Sequence, residues 1–93
     1  MVAEVEDGAV ALEVLEQQEF DLLVSDLNMP NLDGLDLLRE LRLIGKRLDS
    51  LIVTGGTDPD TRQRLKSLGA IDVLYKPVTA ADIALTVANH RFS

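Results

Sequence analysis

A chain of 93 residues, 46% of them apolar, makes one small globular domain over residues 1–93 and is not a disordered segment. A domain of this size buries only roughly 60–65% of its unfolded surface. The net charge of −7 argues against direct nucleic-acid binding, which wants a basic face, and against docking on anionic membranes. No apolar run reaches the ~20 residues of a spanning helix, and the first residues lack a basic region ahead of an apolar core. Without cysteine there is no disulfide framework or thiol chemistry, and a cytoplasmic location is expected.

Val2-Ala3-Glu4-Val5-Glu6 alternates apolar and charged residues, the pattern of an edge or half-buried strand. Asp7 is a natural N-cap for a helix opening at Gly8, with Ala11, Leu12 and Leu15 as its buried stripe. Gln17-Gln18-Glu19 ends that helix. Leu22-Leu23-Val24 then runs apolar without alternation, which suits a parallel strand buried on both faces. The run stops at Ser25 and Asp26, and Met29-Pro30 cannot continue a central strand because proline donates nothing to the ladder.

Asp33-Gly34 opens a helix to about Ile44, with Leu37, Leu38, Leu41 and Ile44 on one face. Gly45 fits its C-cap, and Lys46-Arg47 follow near the negative end of the dipole. Ser50 to Thr54 reads as a second buried strand ending in a hydroxyl, broken by Gly55-Gly56. Asp58 reads as the cap of the next helix, with Pro59 in its first turn. Only Leu65 and Leu68 recur there at helical spacing, so Arg62, Arg64 and Lys66 read as a solvated face. Gly69 ends it, and Ile71 to Tyr75 reads as a third buried strand stopped by Lys76-Pro77. Thr79 caps the last helix, whose stripe is Ile83, Ala84, Val87 and Ala88. His90 reads as a solvated helix-end residue with no second metal ligand near it. Strands alternating with short helices mean a parallel α/β sheet.

The three buried strands end in Asp26, Thr54 and Lys76, each followed by a loop. In a parallel sheet those ends lie along one edge, where open α/β sheets place their ligand chemistry. Taken singly, each residue reads as a cap or a loop residue. Together they supply what phosphoryl transfer needs, a nucleophile and groups that neutralise charge on the moving phosphoryl.

Asp26-Leu27-Asn28-Met29-Pro30-Asn31-Leu32-Asp33-Gly34 closely resembles the phosphorylation-site loop of response-regulator receiver domains. The order Asp26, Thr54, then Lys76-Pro77 on successive strand ends is similar to that family's signature. The resemblance implies a flavodoxin-like, receiver-type parallel sheet with flanking helices. It implies that Asp26 accepts a phosphoryl group from a histidine kinase or phosphotransfer protein of a two-component system. It further implies that Asp26 and the carbonyl of Asn28 are magnesium ligands. Thr54 would donate its hydroxyl to the phosphoryl group, Lys76 would pair with another of its oxygens, and the Lys76–Pro77 peptide would be cis.

The chain also departs from the family. Gly55 stands where the family usually carries Ala, leaving a looser wall beside the site. Val73 stands where the family has its aromatic switch residue, and Tyr75 adjoins the lysine instead. The family's first strand and helix have no counterpart, so the expectation is a receiver shortened to about four strands and four helices. In the family that strand is central and carries the acidic pair that holds magnesium, so Mg2+ binding should be weak. Removing it would expose about five side chains at ~1.5–3 kcal/mol each, plus ladder hydrogen bonds at ~1 kcal/mol each. That loss rivals the ~5–15 kcal/mol stability of a domain. Either the first strand slides into the central place, bringing Glu6-Asp7 near Asp26 as a substitute acidic pair, or two chains associate. Three helices on one face and one on the other favour association, and a homo-oligomer, most simply a two-fold dimer, is expected.

Two other function classes compete. One is a pseudo-receiver or engineered receiver fragment, an oligomerising interaction module that is never phosphorylated. The other is a phosphohydrolase of the haloacid-dehalogenase type, which wants a second Asp two residues after the first; Asn28 holds that position, so it ranks last. The chain reads as a signalling module and not as an enzyme.

Overall fold

A computed structural model describes residues 2–92, with four strands and four helices in strict alternation. They are β1 (Val2–Val5), α1 (Gly8–Gln17), β2 (Leu22–Asp26), α2 (Gly34–Leu43), β3 (Asp49–Thr54), α3 (Pro59–Ser67), β4 (Ala70–Tyr75) and α4 (Ala80–Phe92). The sheet runs β1-β2-β3-β4, and every neighbouring pair is parallel.

Helix starts follow the local chemistry. Asp7 accepts from the backbone N–H groups of Ala9 and Val10, Asp33 from that of Asp36, and Asp58 from that of Thr61. Thr79 and Asp82 cap α4 reciprocally, each side chain accepting the other's backbone N–H at 3.1 and 3.0 Å. Helix α2 stops in a Schellman turn. Gly45 takes φ 76°, and the Lys46 N–H donates to the Leu41 carbonyl at 2.9 Å.

The unalternating strands are explained by burial on both faces. Consecutive right-handed crossovers put α1, α2 and α3 on one face, where Leu15, Leu37 and Leu65 pack over Leu23 and Ile52. On the other face Leu22, Val24, Leu51 and Val53 meet Ile83 and Val87 of α4. Each fully buried aliphatic side chain contributes about 1.5–3 kcal/mol.

Strand β1 stands at one edge of the sheet, beside β2. It pairs directly with β2, from Val2 opposite Leu22 to Val5 opposite Ser25, so the single chain forms a continuous sheet.

Four readings are corrected. Strand β4 is an edge strand, buried at Ala70 and Val73 with Tyr75 46% exposed, because one of its sides has no ladder neighbour. Ile44 caps α2 outside its buried stripe and is exposed. In α4, Ala84 and Ala88 are exposed, because one helix cannot cover four strands. Arg62 is not merely solvated: its guanidinium lies 3.6 Å from Asp72 of β4, and its Nε is buried without a hydrogen-bond partner.

Candidate functional site

The site is built at the carboxyl edge of the sheet, where the ladder runs past the strands. The Leu27 N–H donates to the Val53 carbonyl at 2.9 Å and the Lys76 N–H to the Thr54 carbonyl at 2.8 Å. These bonds hold Asp26 and Lys76 level across β3. Their side chains meet, with Lys76 Nζ 3.4 Å from Asp26 Oδ1 and both groups about half exposed. In that setting the pair contributes only ~0–1 kcal/mol to stability, so its main consequence is position. The Lys76–Pro77 peptide is cis. A shallow cleft lined by Asp26, Val53, Lys76, Pro77, Val78 and Ile83 opens in front of the pair.

Thr54 is placed differently. It is only 2% exposed, its hydroxyl donates to the Gly56 carbonyl at 3.0 Å, and it accepts from the Gly56 N–H at 3.2 Å. The structure therefore brings Asp26 and Lys76 together and commits the Thr54 hydroxyl to the following turn. Beside that turn, a side chain at Gly55 or Gly56 would meet nothing within 4 Å. Val73 is buried, whereas Tyr75, two residues on and so on the same face, is exposed at the last position of the edge strand.

The loop after Asp26 is tied at both ends. The Gly34 N–H donates to the Leu27 carbonyl at 2.7 Å, and Gly34 lies so close that a Cβ there would sit 2.8 Å from the Asp26 carbonyl oxygen. Within the loop the Leu32 N–H donates to the Pro30 carbonyl at 2.8 Å. Asn28 is exposed, and Asn31 takes the left-handed φ of 70°.

Three residues at the site went unnoticed in sequence. The Ser25 hydroxyl, 1% exposed, donates to the Asp26 carbonyl at 2.9 Å, which the hydroxyl before a strand-end Asp could have signalled. Asn31 and Gly8 touch partners distant in sequence, so no local pattern marks them.

The substitute acidic pair does not form. Glu6 is exposed, while the Asp7 carboxylate is taken by the start of α1 and by the Asn31 amide. Among the described residues there is no group of three or more His, Cys, Asp or Glu that could hold a metal ion. Magnesium demands near-octahedral oxygen coordination and usually one or two carboxylates. Asp26, already facing an ammonium, is with a loop carbonyl a sparse ligand set for that ion.

Comparison with known proteins agrees with this architecture. The family model described as "Response regulator receiver domain" matches residues 1–88. The chain is 38% identical over 82 residues to the sensor histidine kinase RcsC of Salmonella typhi, covering 88% of this chain and 9% of that protein. It is 32% identical over 87 residues to the transcriptional regulatory protein ZraR of Klebsiella oxytoca, covering 94% of this chain and 20% of that one. It thus spans a small part of these relatives. A solved response-regulator receiver domain protein from Clostridium thermocellum superposes with a TM-score of 0.78 at 31% identity, over 92% of this chain and 70% of its own. Among the described residues no helix is long and apolar enough to cross a membrane. A match over nearly the whole chain, on a sheet whose strand ends set an aspartate against a lysine, makes this chain a member of the response-regulator receiver domain family.

Proposed function

We propose that the domain is a phosphoacceptor in two-component signalling, with Asp26 taking a phosphoryl group from the phosphohistidine of a histidine kinase or phosphotransfer protein. The observation that carries this reading is the 3.4 Å approach of Lys76 Nζ to Asp26 Oδ1 at the strand ends. A carboxylate oxygen of Asp26 forms the new bond to phosphorus as the bond to the donor nitrogen breaks. The Lys76 ammonium shifts from the carboxylate to a phosphoryl oxygen and neutralises charge there. The Thr54 hydroxyl joins only by leaving the Gly56 carbonyl. The domain accepts the group as a signal and is not an enzyme that turns over a substrate, and its place is the cytoplasm. Magnesium binds weakly, through Asp26 and the Asn28 carbonyl.

The test is incubation with acetyl phosphate and magnesium followed by intact mass. One phosphoryl mass is gained by the wild type and none by Asp26→Asn; a gain that survives Asp26→Asn removes the assignment. The apolar groove lined by Val2, Leu22, Val24, Ile83 and Val87 favours a second reading, an interaction module that is not phosphorylated, which a silent wild type would support. In either reading a second copy covers the apolar groove between β1, β2 and α4, where Val2 is 52% exposed. A melting temperature that rises with protein concentration is expected. A monomeric mass at micromolar concentration with a concentration-independent melt would remove that association.

A further inference from the structure

Because β1 pairs directly with β2, the turn into α1 lies beside the loop that follows Asp26. Two contacts join them. Asn31 Nδ2 donates to Asp7 Oδ2 at 2.8 Å, and Gly8 backs so closely onto the Leu32 carbonyl that no side chain fits there. The other carboxylate oxygen, Asp7 Oδ1, accepts from the N–H groups of Ala9 and Val10 at 3.0 and 3.3 Å. One carboxylate is thus shared between a helix start and the middle of the loop.

A lone exposed hydrogen bond is worth little, since both side chains lose freedom to form it. Here much of that loss is already met. Two backbone groups fix Asp7, and the left-handed backbone of Asn31, which Asn tolerates better than most residues, sets where its side chain starts. The remaining backbone–backbone ties of the loop are within itself or at its ends. Besides the Asp7–Asn31 bond, the one side-chain hydrogen bond from a strand or helix to the middle of the loop, among the described residues, is that of Ser25 Oγ to Met29 Sδ at 3.6 Å, and a thioether sulfur is a weak acceptor.

We infer that Asp7 and Asn31 form a latch that positions the loop from Asp26 to Gly34 for phosphoryl acceptance. Asp7 is a positioning residue, acting through Asn31 and never touching the phosphoryl group. The inference rests on Asp26 being the acceptor.

Exchange of the two side chains tests it. Asp7→Asn keeps a capping oxygen for α1 but sets an amide N–H against the Asn31 amide. Asn31→Asp sets two carboxylates face to face. The double variant reverses donor and acceptor and keeps composition and net charge. Rates of phosphoryl gain from acetyl phosphate are read by intact mass, beside thermal melts. Each single variant is expected to slow acceptance about three- to tenfold, the range one hydrogen bond spans, with little change in melting. The double variant is expected to return to within about twofold of wild type, as coupled neighbours do. Singles that react at the wild-type rate, or a double variant as slow as the slower single, overturn the latch alone. A wild type that gains no phosphoryl group overturns the acceptor reading and the latch with it.

Discussion

Gly34→Ala is expected to destabilise the domain and slow phosphoryl acceptance through a single added methyl group. The Cβ would lie 2.8 Å from the Asp26 carbonyl oxygen and 3.1 Å from Leu27 Cα. Comfortable carbon contacts lie at about 3.5–4.0 Å, so the backbone must part by roughly half an ångström or more. No side chain can step aside, because both crowded atoms belong to the backbone at the end of β2. The same glycine donates to the Leu27 carbonyl at 2.7 Å, so moving it also strains that bond. Overpacking of this kind costs about 1–3 kcal/mol. Alanine recovers ~0.4–1 kcal/mol by restricting the unfolded chain. The net loss spans about 0–2.6 kcal/mol and centres near 1 kcal/mol, which at ~4–8 °C per kcal/mol for a domain of this size is readable in a thermal melt. Gly55→Ala is the control, since a side chain there meets nothing within 4 Å; its melt should stay level or rise. If Gly34→Ala melts at or above wild type, or Gly55→Ala falls as far, the close-approach argument is wrong.

Lys76→Ala should slow phosphoryl gain at Asp26 by about tenfold or more while moving the melt little, because the half-exposed pair contributes only ~0–1 kcal/mol; a large melting shift would show that the lysine serves structure. Leu51→Ala, at a fully buried position between β2, β4 and α4, should cost about 2–5 kcal/mol in a urea titration, and a cost below ~1 kcal/mol would mean that the α4 face is loosely packed. Asp58 is held below the usual carboxylate range, chiefly by the backbone N–H of Thr61 and then by that residue's hydroxyl. The folded value is depressed, so its contribution is present above the unfolded value and lost as pH falls through the folded one. Asp58→Ala should therefore lower stability near neutrality and flatten its decline in acid; an unchanged acid limb would count against the cap.

Element order and helix starts were legible because their signals are local. A capping Asp with its partner N–H groups two or three residues on, as at Asp7 and Asp58, needs no knowledge of the rest of the fold. Strand ends were legible for the same reason, since Pro30, Gly55-Gly56 and Pro77 each forbid continuation. The failures are non-local. Ile71 to Tyr75 is as apolar as a central strand, and only the sheet order reveals that β4 has one neighbour. Arg62 looked solvated until Asp72 was brought beside it. At the site, the spacing of Asp26, Thr54 and Lys76 placed all three at one edge, but could not show where each side chain turns. The hydroxyl of Thr54 has two equally local choices, the site or the Gly56 turn, and it takes the turn. Asp7 was legible as a cap and, equally, as a substitute metal ligand. Asn31 decides between them, from 24 residues away.

The two faces of the sheet bear on the site unequally. Helices α1, α2 and α3 each bury at least one large or small side chain completely, Leu15, Leu37 and Leu65 among them. In α4, no side chain from Ala80 to His90 is fully buried; Ile83 and Val87 reach the sheet, while Leu85 is 63% exposed. Local stability follows buried apolar contact, and from Ala80 to His90 α4 has no fully buried side chain to supply it. Yet Lys76 and the cap at Thr79 lie on the short connection from β4 into this helix. Asp26 is carried by β2 and the well-packed face, whereas Lys76 sits between an edge strand and a helix held on one side. Its N–H bond to the Thr54 carbonyl ties Lys76 to β3, so the ladder sets its 3.4 Å approach to Asp26, and α4 takes up the chain beyond.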